Sequence, residues 1–419
     1  NFFTHTNGID ILWMVRSNGE TLQSRALKDL DLEPQESKKI LIPVEKFEMR
    51  LFNEYFLDIE FRLKKKKGLL PKGYLIAWEQ LPLINFNTMK LEFDPNILHD
   101  NYPKLHDVTE TNNEIEITGN DFEIIFSKKT ATMDSWTFQG KNILLRGPKP
   151  NFWRTPTDND FGNDMPKRMA VWKHATDEAQ VNDIKVDNYD TSVGIEVFYN
   201  FPSVESTGSI LYVIYGDGRI LVYNKFEIEK GTLPNIPKVG ISMQIPKEFD
   251  IMTWFGRGPH ESYLDRKSST KVDIYSGKVS DQFHPYIRPQ ESGNKTDVRW
   301  ATFRNADGDG LLVRGLLSLN ASHYLQEDYD HGLGEMKSGA TGNIKTTKQQ
   351  RHSIDMVERD LINLDIDLIQ MGLGGEDSWW AQPLEKYQIK PKNYNYSFTL
   401  MPIKSNEDPV ELNKNAFLK

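Results

Sequence analysis

The stretch 151–162, NFWRTPTDNDFG, gathers a guanidinium (Arg154), two carboxylates (Asp158 and Asp160), an amide (Asn159) and two rings within twelve residues. Two neighbouring carboxyl groups are what acid/base catalysis requires. The same residue types also shape a rigid loop, because Asp and Asn side chains accept backbone N–H groups and an arginine can pair with them. Pro156 and Gly162 interrupt any regular element, so the stretch is expected to form an irregular loop at a polar-ligand site. Two further groups carry acid/base residue types. One is His260 and Glu261, with Tyr263, Asp265 and Arg266 close behind; the other is Arg288, Glu291, Asn294, Asp297 and Arg299, with His323 further along. Each is either a hydrogen-bond network that holds loops or a general acid and base, pairing Glu291 with His323 or Glu261 with His260. His260, His284 and His323 lack the paired spacing of helical metal ligands. The run NADGDG at 305–310 lacks the closing acidic residue of a calcium loop and reads as a hairpin turn. No protein-coded metal site is expected.

These residues need a scaffold, and the pattern around them is β. Residues 55–63 alternate Tyr55, Leu57, Ile59, Phe61 and Leu63 with mostly polar neighbours, the period of a strand with one apolar face. Residues 11–15, with Trp13, precede the hairpin dipeptide Asn18-Gly19, and 74–79 is another short strand. Residues 1–84 are therefore expected to form a small immunoglobulin-like sandwich. Residues 85–110, punctuated by Asn, Asp and Pro, read as a linker over a surface. Strands return from 111, at 114–117, 122–126 and 130–138, then 209–215 and 219–228 around Gly216-Asp217-Gly218, and later at 311–317 and 394–401. A short helix is expected over 165–175. With no alternation of strands and helices and no phosphate-binding glycine motif, residues 111–403 should form a large antiparallel two-sheet sandwich, and 404–419 a surface tail. The fold class is all-β.

Composition narrows the partners. A net charge of −9 without clustered basic residues argues against nucleic acid. The run Lys64–Lys67 sits beside Gly68 and reads as a solvated loop. No apolar run approaches the ~18 residues of a membrane span. The absence of cysteine removes disulfide and thiolate chemistry and leaves the compartment open. The chain opens at Asn1 and runs straight into patterned sequence, so it is expected to be a portion of a longer protein, with any targeting signal outside it.

Four segments, taken in order, carry a resemblance: 151–162; WFGRGPHESYLDR at 254–266; PYIRPQESGNKTDVRW at 285–300; and MGLGGEDSW at 371–379. Together they resemble the C-terminal portion of the large bacterial β-galactosidases of glycoside hydrolase family 2. Residues 1–84 look like the immunoglobulin-like domain that follows the catalytic barrel in that family. The large sandwich resembles the galactose mutarotase superfold. The resemblance implies that both catalytic glutamates lie on an upstream (β/α)₈ barrel, and nothing here could build one. No catalytic residue is then expected in this chain, and alone it should be inactive. It implies a galactoside substrate, the upstream barrel as a partner, and a homo-oligomer in a bacterial cytoplasm or periplasm. No cofactor is expected here, although the family often carries Mg and Na in its barrel. By the same resemblance Trp379 packs on the sugar, its apolar indole face against the C–H face of galactose; read from residues alone it is equally a core aromatic. Gly374 and Gly375 would let the backbone turn to present it. Gly162 and Asn163 would begin a mobile loop, with Gly162 as hinge, whereas Arg154, Asp158, Asn159 and Asp160 would hold a rigid one. A free-standing aldose epimerase using Glu291 and His323, or a carbohydrate-binding module, are the alternatives.

Overall fold

The computed structural model describes residues 5–27, 31–50, 53–84, 102–229, 232–329, 352–377 and 381–415. The chain divides into two units, Asn1–Lys90 with Lys414–Leu418, and Leu91–Asn413. In the first, β1 (Ile9–Ser17), β2 (Glu20–Leu27), β3 (Tyr55–Leu63) and β4 (Leu75–Ile84) form one antiparallel sheet in the order β2-β1-β3-β4. Asn18 and Gly19 turn the first hairpin with φ of 44° and 89°, the left-handed pair that matches strand twist. Trp13, Val15 and Leu57 form the core, covered by Ile42, Val44 and Phe47 from a segment without strands. That segment covers the apolar face, so one four-stranded sheet and this covering segment make up the described part of the unit. The alternation of β3 would leave its polar face to water. Instead Asp58 and Glu60 are buried as well, with Glu60 paired to Arg62 at 2.6 Å.

The second unit opens with β5 (Asp107–Glu110), β6 (Glu114–Gly119), β7 (Phe122–Ser127), β8 (Thr132–Phe138) and β9 (Lys141–Asn142), a five-stranded sheet in chain order. Strand β5 falls inside the stretch read as linker. Four residues are too few to show a period, and pairing with β6 decides their conformation. The large sheet holds β10 (Arg146–Asn151), β11 (Gln180–Asn188), β12 (Ser192–Phe201), β13 (Ser206–Tyr215), β14 (Ile220–Ile228), β15 (Lys238–Ile245), β16 (Ile251–Gly258), β17 (Lys271–Lys278), β18 (Lys295–Arg304), β19 (Gly310–Ser322), β20 (Ile362–Gln370) and β21 (Tyr394–Ile403). Its path is β10-β15-β20-β19-β21-β14-β13-β12-β11, with β18 pairing β19 and β16 and with β16 pairing β17. All pairings are antiparallel. The expected tail carries a short helix, Pro409–Asn415.

One core joins the two sheets of this unit. Ile115, Ile117, Ile124 and Phe126 of the small sheet share it with Val193, Ile195, Val197, Ile210, Tyr212 and Ile214 of the large one. Strand β20, INLDIDLIQ, shows the logic: Ile362, Leu364 and Ile366 are buried in that core. Asn363, Asp365 and Asp367 point to the other face, yet they too are buried, so the sheet has one apolar and one polar covered face.

The core also anchors the start of the 151–162 stretch. Phe152 is 3 % exposed and its ring meets Phe201, Phe226 and Trp172 at 5.2, 4.6 and 5.9 Å between centroids. Phe152→Ala should therefore lower unfolding free energy by about 3–5 kcal/mol, the usual cost of emptying a packed aromatic site. Urea titration of the purified chain checks this, and a loss below about 1 kcal/mol would mean the ring is not the anchor.

Candidate functional site

From the end of β10 the chain turns into residues that regular backbone bonding does not explain. Arg154 and Asp160 are both fully buried and face each other, with Arg154 Nη2 at 2.9 and 3.0 Å from the two Asp160 oxygens. Asp160 also accepts from the backbone N–H and the hydroxyl of Thr157 at 2.9 and 3.0 Å. These bonds close a capping box on a one-turn helix, α1 (Asp158–Gly162). The expectation of a wholly irregular loop is corrected here: Pro156 and Gly162 bracket a helical turn, because Thr157 and Asp160 satisfy the end that Pro156 leaves open. Beyond it, α2 (Met165–Arg168) and α3 (Ala170–Asp177) stand in place of the single helix expected over 165–175.

The remaining donors of Arg154 reach across the fold. Nη1 donates to the Met371 carbonyl and Nη2 to the Gly372 carbonyl at 3.1 Å. Asn159 Nδ2 donates to the Leu373 carbonyl at 3.3 Å. Asp158 faces the other way: its N–H donates to Gln290 Oε1 at 3.1 Å, and its carboxylate accepts from Gln290 Nε2 at 3.0 Å. Arg288 approaches Asp158 at 3.4 Å and lies over the Phe161 ring at 5.2 Å. Segment 254–266 enters through Asp265, whose carboxylate accepts from the Leu373 and Gly374 N–H groups at 3.0 and 2.8 Å. Segments 151–162 and 254–266 thus meet at residues 371–375, where Gly374 and Gly375 take φ of 68° and 106°, and segment 285–300 joins them through Asp158. The junction at Gly162 and Asn163 is itself bonded, Arg168 donating to the Asn163 carbonyl at 2.8 Å and side-chain oxygen at 2.6 Å. Trp379 lies outside the described residues.

Glu291 and His323 belong to different networks. Glu291 is buried and accepts from Asn320 Nδ2 at 2.8 Å, with the Tyr263 hydroxyl at 3.4 Å. Burial pushes its carboxyl above the ordinary value, with the nearby Lys238 and Arg154 charges pulling the other way. His323 spends both ring nitrogens elsewhere, on the Leu361 carbonyl at 2.8 Å and Asp250 at 3.0 Å. No direct bond joins the two among the described residues. Glu261 is likewise engaged, with Arg266, the Tyr286 hydroxyl and the Gly293 N–H, while His260 meets Ser269 at 3.2 Å. Beside Glu291 the polar face of β20 carries a buried charge set. Lys238 lies 2.7 Å from Asp365 and 3.4 Å from Asp367. Burial would lower the Lys238 ammonium, but the two carboxylates outweigh it and hold it above its ordinary value. Burial pushes the Asp367 carboxyl well up. Among the described residues no group of three or more His, Asp or Glu gathers as a metal site. The 305–310 run is a turn, with Asn305 Oδ1 accepting from the Asp307 and Asp309 N–H groups at 3.0 and 3.1 Å.

A large antiparallel sandwich in which Arg154, Asn159 and Asp265 hold one glycine turn is what the second unit presents. Residues 118–400 match the family model of the beta galactosidase small chain, and residues 1–84 match that of beta-galactosidase domain 4. The chain belongs to the beta galactosidase small chain family. It is 32% identical over 410 residues to the beta-galactosidase of Priestia megaterium, covering 96% of this chain and 37% of that protein. Identity is 29% to that of Streptococcus thermophilus (96% and 37% covered) and 26% to that of Pseudoalteromonas haloplanktis (95% and 37%). The chain thus spans little more than a third of the length of these relatives. Among solved structures, a galactose mutarotase related enzyme from Lactobacillus acidophilus aligns with a TM-score of 0.38 at 10% identity, over 70% of this chain and 99% of that one.

Two outcomes follow from the geometry. Removing one partner of a buried ion pair leaves the other uncompensated, so Asp160→Asn should cost about 3–5 kcal/mol of stability, read by urea titration; a loss within about 0.5 kcal/mol would show the pair to be dispensable. Glu291 binds its proton more tightly folded than unfolded, so its contribution to stability is full below the ordinary carboxyl value of 4.5 and lost as pH rises through the raised one. Glu291→Gln keeps an acceptor for Asn320 without the charge. It should raise the melting temperature at about pH 7 and lose that advantage near about pH 4; a gain that grows on acidification contradicts the assignment.

Proposed function

We propose that this chain is the C-terminal portion of a retaining β-galactosidase of glycoside hydrolase family 2, and that it forms one wall of the sugar site. The observation that carries the reading is the way Arg154 and Asn159 of one segment and Asp265 of another hold residues 371–374, a few positions before Trp379 in sequence. Their bonds fix a glycine turn and leave the acid/base residue types either paired or buried, which suits support and not proton transfer. Trp379 would offer its indole face to the apolar face of a galactosyl ring. Retaining hydrolysis needs two carboxyl groups about 5 Å apart, and in this reading both are supplied by the barrel that the family carries upstream. The substrate is then a terminal β-galactoside, and the chain acts only with that barrel, in a homo-oligomer.

The test compares the complete enzyme with this portion alone. The complete enzyme should release nitrophenol from a nitrophenyl β-galactoside and the portion should not. Release by the portion alone would sink the claim that the catalytic pair lies elsewhere. In the complete enzyme Trp379→Ala should raise KM about 5- to 100-fold, the worth of one stacked ring, with a smaller fall in kcat, because stacking acts in ground and transition states alike. An unchanged KM would remove Trp379 from the site.

A further inference from the structure

We propose that a small cavity on the polar face of the large sheet, between Glu291 and Asp365, is a binding site for a potassium-sized monovalent cation. The cavity has a volume of about 20 Å³ and lies between segment 285–300 and strands β19 and β20. Glu291, Asp365 and Asn320 line it, with the hydroxyls of Thr155, Ser292 and Ser322. About 10–15 Å³ admits one water, so the room suits an occupant of that size and is too small for a sugar ring. A potassium ion is about as large as a water molecule.

The lining decides what kind of occupant it is. No lysine, arginine or histidine is part of it. Glu291 and Asp365 bring carboxylates, and both are buried. Asn320 spends its amide hydrogens on Glu291 Oε1 at 2.8 Å and on the Ser292 carbonyl at 2.9 Å, so its own side-chain carbonyl is what it can offer. Asn363 likewise turns its amide to Asp365 Oδ1, at 3.1 Å. Carboxylate, amide carbonyl and hydroxyl oxygens are the ligands of hard cations.

Charge points the same way. Three buried carboxylates, Glu291, Asp365 and Asp367, share this face. Against them stand two cations. Lys238 is 2.7 Å from Asp365 and 3.4 Å from Asp367, and Arg146, which donates to the Ser242 hydroxyl at 3.4 Å, acts on Asp365. Arg154 also acts on Glu291, but its charge is spent on Asp160. Three negative charges against two positive leave one unbalanced, and Asp367 shows it: neither of its oxygens has a hydrogen-bond partner among the described residues. A buried charge in that position is costly, and either a proton or a monovalent cation balances it. A proton needs no cavity, whereas an oxygen-lined one beside the excess charge favours the cation. A divalent ion needs more anionic ligands, and no three His, Asp or Glu side chains converge among the described residues.

Thermal unfolding of the chain at neutral pH, in potassium chloride and in tetramethylammonium chloride at equal ionic strength, tests this, because tetramethylammonium is too large for the cavity. A bound cation adds stability by mass action, so the melting temperature should be higher in potassium by about 2 °C or more. Equal melting temperatures would leave the balance to a proton and overturn the proposal. Glu291→Gln removes one ligand charge. It should raise the potassium concentration that gives half the gain about 10-fold or more, while in tetramethylammonium it keeps the advantage of a buried carboxylate made neutral. A full potassium gain retained in Glu291→Gln would put the ion elsewhere and overturn the site. Should the variant not fold, the unsubstituted chain decides: in crystals soaked in a thallium(I) salt an anomalous peak should lie between Glu291 and Asp365, and no peak there contradicts the assignment.

Discussion

The arrangement depends on a single buried ion pair. Arg154 and Asp160 are both withdrawn from water, and two such charges are costly unless each finds its full set of partners. Here the set is filled from three directions except at Arg154 Nε, which is buried without a hydrogen-bond partner. Asp160 spends one oxygen on the Thr157 cap and both on the guanidinium, and Arg154 passes its remaining fork to the carbonyls of Met371 and Gly372. A hydrophobic replacement of similar volume could fill the space, but it would have no direction. A planar guanidinium satisfies a carboxylate and two carbonyls only in a fixed relative geometry, so the pair ties a turn at residue 372 to a helix cap at residue 160. The rest of the site is built outward from that tie.

The polar face of the large sheet shows why residue types alone mislead. On β20 the alternation of apolar and acidic residues looks like a strand with one face in water. Asp365 and Asp367 are instead covered, and Lys238 from β15 is held between them. Perturbed carboxyls cluster at catalytic sites, but structural networks perturb them too, and here the partners decide. Glu291 is held by Asn320, and His323 is used at both nitrogens by a carbonyl and Asp250. A base and an acid that serve separate networks do not form a proton relay.

Much of the fold was legible in the sequence because strands with one buried face advertise it. Residues 55–63 and the glycine hairpin at 216–218 were readable from period and turn chemistry. What escaped were features decided by tertiary partners. Strand β5 is too short to carry a period and exists because β6 pairs with it. Helix α1 is a single turn, and its signal, Thr157 with Asp160 three residues on, was hidden by the prolines and glycine around it. In the site, Arg154 was readable as a partner for one of two nearby carboxylates, Asp158 or Asp160, and the structure selects Asp160. Asp265 was visible only as one acid in a polar run, because its partners lie more than a hundred residues away and no local pattern encodes them.

The proposed role as one wall of a sugar site sets what the residues behind it must do. A ring that binds a sugar through its apolar face gains little from any one atom and much from orientation, since the contact is spread over two flat surfaces. The residues behind such a ring therefore matter more for their fixity than for their chemistry. Backbone held only by other backbone can slide along a strand or fray at its end. Backbone held by Arg154, Asn159 and Asp265 from separate elements cannot move without breaking bonds of opposite polarity at once. An all-β sandwich is suited to supplying this, because its loops issue from strands whose register is already locked by the core. The carboxylates that first suggest catalysis are, on this geometry, fasteners: Asp160 holds Arg154, and Asp265 holds the Leu373 and Gly374 N–H groups.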